Sequence, residues 1–136
     1  MAAARPTVSA RPLSPHLSIW KWRVHMAVSI LHRVTGNAMA FGGVVLFLWW
    51  LVAAATGPDA YATFYRVATG PVGIVVGVGL TWIFFQHMMN GIRHLVMDTG
   101  NALEIHASKT FAIATLAGST LLTVLTWAAI FLTKGI

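Results

Sequence analysis

The stretch "VTGNAMAFGGVVLFLWWLVAAAT", residues 34–56, decides the fold because none of its 23 residues is charged. A helix needs about 20 apolar residues to cross the hydrocarbon core of a bilayer. A helix also satisfies its backbone hydrogen bonds internally, as a spanning segment in lipid must. The stretch therefore predicts a membrane-spanning helix.

Two further stretches, 72–97 and 110–133, are also apolar and long enough to span. Turn-forming "TGPDAY" and "TGP" separate the first two, and "AYATFYRVA" between them suits a short interfacial helix carrying Tyr61, Phe64 and Tyr65. We expect an all-α membrane protein, with spans at about 30–56, 71–97 and 109–133 in an up-down bundle. Residues 1–136 would form one domain, with 1–28 as a cytoplasmic segment.

The composition agrees with lipid as the natural solvent. Apolar residues make up 57% of the chain and charged residues only 9%, whereas soluble domains carry about a quarter charged residues. There are no cysteines. This excludes disulfides, thiolate metal sites and iron–sulfur clusters held by this chain, and leaves histidine as the main candidate ligand.

The net charge of +6 is unevenly distributed. A basic chain could bind nucleic acid, but beside such apolar spans the charge is better interpreted as a topology signal, and we expect no nucleic-acid partner. Five of the nine basic residues lie in the first 33 positions: Arg5, Arg11, Lys21, Arg23 and Arg33. The positive-inside rule then places the N-terminus in the cytoplasm.

The N-terminal residues 1–14, "MAAARPTVSARPLS", lack the apolar core of a secretory signal and a clear amphipathic pattern. We expect an unprocessed bacterial chain in the inner membrane, with the mitochondrial inner membrane as the less favoured alternative. "RPLSPHLSIWKW", residues 11–22, is expected to run extended along the cytoplasmic face, with Trp20 and Trp22 in an aromatic belt.

The second span ends in "HMMNGIRHLVMDTG", residues 87–100. His87, His94 and Asp98 share one helix face with Asn90 and Gly91. At 1.5 Å per residue, His87 is expected roughly 15 Å below the cytoplasmic surface, with Gly91 leaving space beside it. His87 could bridge two helices through a hydrogen bond, or it could ligate a metal, haem above all.

Arg93 and His94 lie nearer the membrane surface, where we expect their side chains to extend toward the headgroups. Asp98 could cap that surface, or orient the imidazole of His94 one turn earlier.

The first span begins with "SILHRVTG", residues 29–36. Ser29 and Arg33 are one turn apart, and His32 adjoins them at a level expected to match His94. Arg33 and His32 could simply anchor the helix to headgroups. The hydroxyl of Ser29 beside a cation would also suit a carbonyl or anionic ligand.

Together these stretches resemble the cytochrome b subunit of succinate dehydrogenase, the larger membrane anchor of respiratory complex II. The resemblance covers roughly residues 11–134, and any single motif would be weak without the other two and the matching spans. It rests on Arg11-Pro12, then Ser29, His32, Arg33 and Thr35, then His87, Gly91, Arg93, His94, Asp98 and Gly100.

The resemblance implies that His87 is an axial ligand of haem b. It also implies that His32 and Arg33 lie by the haem propionates, with His94 a weaker candidate and Gly91 part of the cofactor-binding motif.

For ubiquinone, the resemblance implies a site at Ser29 and Arg33, with Trp22, Met26 and Ile30 beside them. His25 stands where proline is expected in many relatives, which leaves the local shape of that site open.

A haem with two axial imidazoles needs one on each face, and only His87 is expected deep in a span. The second ligand should therefore come from another chain, and the resemblance implies that this other chain is a smaller anchor subunit. The sequence has neither a flavin motif nor cysteines to hold a cluster, so the chain alone is not expected to be an enzyme. The resemblance implies flavoprotein and iron–sulfur subunits as its partners. A fumarate reductase anchor and a haem-free structural anchor or transporter subunit remain alternatives.

Overall fold

The computed structural model describes Pro15, Ile19 and residues 21–134. The predictions made for 1–14, for Trp20 and for most of the 11–22 stretch therefore lie outside the described residues.

The described chain is helical. Helix α1 spans Val24–Thr56, α2 spans Pro58–Thr69, α3 spans Pro71–Asp98 and α4 spans Ile105–Lys134. Helices α1, α3 and α4 are each long and apolar enough to cross a membrane. The expected all-α protein with three spanning helices is confirmed, and α2 occupies the position expected for the interfacial helix.

Helix boundaries follow from proline and glycine. Pro58 and Pro71 occupy the first turns of α2 and α3, where the missing N–H costs no helical hydrogen bond. Gly57 between α1 and α2 has a φ of 134°, and Gly100 after α3 has a φ of 84°, conformations that glycine adopts without strain. The result is one sharp corner after α1 and another after α3.

Helix α1 begins at Val24, earlier than the start expected at about residue 30, so Met26 and Ser29 lie on the helix. Within α1, Met39–Gly43 form a π-helical segment, a deviation that often occurs near functional sites.

The bundle interior is more polar than its surface. The most extensive packing is between α3 and α4, and the buried apolar residues of the described chain are Val28, Ala53 and Ala112. The buried polar and charged residues are Thr35, Gln86, Asn90, Arg93, Ser108, Thr115, Ser119 and Thr123. Large apolar side chains instead cover the outside. Small and polar residues let helices approach closely and bond across the interface when lipid is the solvent.

Candidate functional site

A cavity of about 400 Å³ opens between α1, α3 and the start of α4. This volume lies in the range of small-molecule sites, which is about 300–1,000 Å³. Its lining residues are His25, Met26, Ser29, Ile30, Arg33, Arg93, His94, Met97 and Ser108. The structure thus brings together five residues proposed from sequence: Met26, Ser29, Ile30, Arg33 and His94.

The cavity, which we call the arginine cavity, is electropositive. Arg33 from α1 is exposed and Arg93 from α3 is buried, and no carboxylate lies among the described lining residues. Ser29 lies one turn before Arg33 on the same helix. Two guanidiniums, two imidazoles and two hydroxyls line this space together with three apolar side chains. This set suits a flat ligand whose oxygens carry or develop negative charge.

Arg93 does not extend to the surface, so that prediction from sequence was wrong. Its side chain is only 4% exposed. Its Nη1 donates to Asn90 Oδ1 at 3.3 Å, and its Nη2 donates to Ser108 Oγ at 2.9 Å. These two acceptors, one on α3 and one on α4, turn the guanidinium inward between the helices.

Trp22 lies in a neighbouring cavity of about 390 Å³, together with Arg23, Ile105 and Lys109. His25 lines both cavities. The structure therefore places Trp22 beside the arginine cavity rather than in it.

Three imidazoles form a cluster next to the arginine cavity. The rings of His32 and His87 are stacked, with centroids 3.9 Å apart and an interplanar angle of 16°. The ring of His94 lies 5.3 Å from that of His32. His32 therefore contacts His87 and also lies near His94, the residue whose level it was expected to share.

His87 is held by the backbone and side chains of α1. Its Nδ1 lies 3.1 Å from the carbonyl oxygen of His32 and 3.3 Å from Oγ1 of Thr35. A carbonyl can only accept, and the Thr35 hydroxyl donates within its own helix, at 2.8 Å to the Leu31 carbonyl. The proton of His87 therefore belongs on Nδ1, which leaves Nε2 with a lone pair.

Gly36 completes this arrangement. A Cβ at Gly36 would lie 2.9 Å from Cε1 of His87, so only glycine admits the imidazole there without displacement. Gly91, the glycine expected to make room for His87, would place its Cβ in open space with no atom within 4 Å. The close approach to His87 thus comes from α1.

The chemistry of these residues would suit His87 as a ligand to haem iron. A ligating histidine generally donates its other ring N–H to a carbonyl or carboxylate, as Nδ1 of His87 does toward His32. His32 would not hold the same metal ion as His87, because the nitrogens of two stacked imidazoles do not converge on one point. Nor do the described residues contain a group of three or more His, Asp or Glu arranged to hold a metal ion.

Several site residues were not singled out from the sequence, namely Thr35 and Gly36 as supports of His87, and Met97 and Ser108 in the cavity lining. The sequence analysis also missed a row of buried polar residues between α3 and α4. The row consists of Gln86, Asn90 and Arg93 on α3, which face Ser108 and Ser119 on α4. The spacing of the three α3 residues could have revealed it, since buried polar residues at such intervals face one partner helix.

The fold and site define a three-span helical membrane subunit, and its sequence matches one family. Residues 7–126 match the succinate dehydrogenase/fumarate reductase transmembrane subunits, and the chain belongs to this family. The predicted resemblance is thereby confirmed.

Individual relatives are similar over most of the chain. The chain is 41% identical over 116 residues to the succinate dehydrogenase cytochrome b556 subunit of Paracoccus denitrificans, covering 85% of this chain and 88% of that protein. The Rickettsia felis subunit of the same name is 36% identical, with 86% and 90% coverage. The mouse mitochondrial cytochrome b560 subunit is 39% identical, with 73% and 59% coverage.

Proposed function

We propose that this chain is the cytochrome b membrane subunit of a succinate dehydrogenase. In this role it binds haem b together with a second anchor subunit, forms part of the ubiquinone site and docks the iron–sulfur and flavoprotein subunits. The observation that carries the proposal is the pairing of the arginine cavity with a histidine whose Nε2 is left available for iron.

His87 is the proposed axial ligand, because its Nδ1 faces acceptors on α1 and its imidazole is fixed by stacking on His32. His32, Arg33 and His94 are the candidates for contacting the propionates. When bound, haem b supplies a reversible one-electron centre whose potential depends on ligands, burial and hydrogen bonds. A smaller anchor subunit would provide the second imidazole.

Ubiquinone is the proposed occupant of the arginine cavity. Ser29 would donate a hydrogen bond to a quinone carbonyl, and Arg33 would stabilise negative charge as it develops on the ring. Met26 and Ile30 would contact the apolar face of the ring.

The overall reaction fixes what partners must supply. Succinate loses two electrons and two protons to give fumarate, and ubiquinone gains two electrons and two protons to give ubiquinol. A chain without cysteines holds no iron–sulfur cluster, so the electrons must arrive through partner subunits. Asp98 ends α3 and is exposed outside the cavity lining, a position from which it could deliver protons.

The proposed location is the bacterial inner membrane, with the N-terminus in the cytoplasm. The basic residues near the start of α1 support this orientation. The bacterial relatives support the location.

The test of the haem site uses the purified complex. His87→Ala is expected to alter or abolish the b-type absorption spectrum and the pyridine haemochrome signal. His106→Ala is the matched control, because His106 is an exposed imidazole at the start of α4. An unchanged spectrum in H87A would rule out His87 as the ligand, and a wild-type complex without haem would favour a structural anchor.

The test of the quinone site compares two electron acceptors. Ser29→Ala and Arg33→Ala should lower succinate:ubiquinone reductase activity while reduction of an artificial dye by succinate survives. Arg66→Ala, at an exposed position on α2, is the control. An equal loss of both activities would indicate faulty assembly and remove the support for a quinone site at these residues.

The family also includes fumarate reductase subunits, so quinol oxidation coupled to fumarate reduction is the second candidate. The same cavity would serve either direction. The ratio of the two activities in the purified complex distinguishes them.

A further inference from the structure

We propose that Arg93 is an anion-binding residue of the arginine cavity, and that its counter-ion is an anionic oxygen of a ligand bound there, either a haem propionate or reduced ubiquinone. This inference rests on the proposed function, because haem and reduced quinone are the candidate sources of that oxygen. It assigns a role to a residue that sequence reasoning placed at the membrane surface.

The first step is the burial of a full charge. The Arg93 side chain is 4% exposed, and a guanidinium stays protonated under all ordinary conditions. Burying an ion without a partner of opposite charge is expensive, and more so within a membrane-spanning helix. A bundle that retains such a group gains something specific from its charge.

The second step is the absence of a partner within the described chain. The acidic residues Asp59, Asp98 and Glu104 all lie in the described segments and are exposed, and none is within salt-bridge distance of Arg93. The contacts of Arg93 are two neutral acceptors, and its buried Nε has no hydrogen-bond partner there. The compensating negative charge must therefore come from elsewhere.

The third step is access. Arg93 lines the same cavity as Ser29 and Arg33, so a ligand in that space would lie against the Arg93 side chain. Asn90 and Ser108 hold two of its nitrogens and act as positioning residues. Arg33 is exposed, whereas Arg93 is fixed from two helices, so Arg93 is the better ordered of the two cations.

Two sources share the required chemistry, namely a propionate carboxylate of haem b and the oxygen of reduced ubiquinone. A charge-assisted hydrogen bond from a desolvated guanidinium would stabilise either. Both sources belong to ligands of this cavity and its neighbouring imidazole cluster, and the experiment separates them.

The experiment compares Arg93→Gln with wild type in the assembled complex, and Arg66→Gln serves as the matched exposed control. Two readouts are taken: the midpoint potential of the haem, and the EPR amplitude of the ubiquinone radical at a fixed succinate/fumarate ratio. If the anion is the quinone oxygen, the radical signal falls roughly tenfold or more. If it is a propionate, the haem potential shifts negative.

A complex of R93Q that assembles with haem and changes neither readout overturns the inference. So does an R93Q complex that loses a subunit while both readouts persist, because the anion would then be a partner's carboxylate. If R93Q does not assemble, Arg93→Lys is measured in its place. The lysine keeps the positive charge but lacks the two guanidinium nitrogens that bond to Asn90 and Ser108, so one readout should change partially. If neither readout changes in R93K, the inference is overturned.

Failure of the proposed function would look different. In that case the wild-type complex itself would lack haem and ubiquinone reductase activity, whatever residue stands at position 93.

Discussion

Replacing Gly36 by alanine should disturb the proposed haem site more than the same replacement at Gly91 or Gly118. The new Cβ would lie 2.9 Å from Cε1 of His87, whereas ordinary contacts of a Cβ begin at 3.4 Å. One of the two groups must therefore move by about 0.5 Å. The imidazole cannot rotate aside easily, because it stacks on the His32 ring and its Nδ1 is hydrogen-bonded to the His32 carbonyl of α1.

Overpacking of this kind typically costs about 1–3 kcal/mol. The cost falls on the conformation in which His87 presents Nε2 to iron, and roughly each 1.4 kcal/mol weakens binding tenfold. We therefore expect Gly36→Ala to lower haem occupancy of the purified complex by about tenfold, or to retain haem with a shifted absorption spectrum.

Two glycines provide matched controls. A Cβ at Gly118 would also approach to 2.9 Å, but the atom it meets is Cε of Met89, the end of a flexible side chain. A Cβ at Gly91 meets no atom within 4 Å. Both Gly118→Ala and Gly91→Ala should keep near-normal haem content, because the first clash is relieved by a rotation and the second does not arise.

The assay is haem per complex from the pyridine haemochrome spectrum, with the heat stability of the complex measured in parallel. Equal haem content and equal spectra in G36A and G91A would refute the argument that α1 fixes the His87 ring. A loss of haem in G118A as large as in G36A would also refute the argument. Any steric overlap of the new Cβ would then lower haem content, whether or not the overlapping group is His87.

Two more changes test the bundle itself. Gly73→Ala should impair folding of the corner between α2 and α3, because the added Cβ would meet backbone carbonyls of α2, which cannot move aside. Gly79→Ala is the control and should be tolerated, because its Cβ would meet no atom within 4 Å. Both effects are measured by expression in the membrane and by thermal unfolding of the complex. Ser119→Ala removes the 2.7 Å hydrogen bond to Gln86 and should destabilise the complex by about 0.6–2 kcal/mol in denaturation experiments. Thr110→Ala should have a smaller effect, because the exposed Thr110 hydroxyl donates only to a carbonyl of its own helix. Equal effects of the two changes would show that the interhelical hydrogen bond contributes nothing to stability.

Hydropathy alone predicted the architecture, because lipid permits few alternatives. A run of some 20 residues without charge can span only as a helix or as part of a closed barrel. Glycine and proline at 57–58 and 70–71 then marked where α2 begins and ends. The start of α1 was harder to predict, because the helix continues past the apolar stretch into residues such as His25 and Ser29.

Five residues that line the arginine cavity were already site candidates from the sequence. Ser29, Arg33 and His94 stood out as polar groups beside apolar spans, whereas the apolar Met26 and Ile30 came only from the family resemblance.

The sequence did not predict the direction of Arg93. A long side chain near a helix end can extend to the headgroups or turn inward, and the choice depends on whether a partner helix offers acceptors. Ser108, fifteen residues away across a turn, provides one here.

The sequence by itself determined that the chain is an all-α membrane protein with three spans, and which polar residues are candidates for holding a cofactor. These properties depend on composition and on spacing along single helices. Only the tertiary structure decided which α1 residues support His87, that His32 stacks on it, and that Arg93 is buried without a carboxylate. Those relations depend on how helices rotate and cross. Residues such as Gly36 and His87 are 51 positions apart, and no local pattern fixes the distance between them.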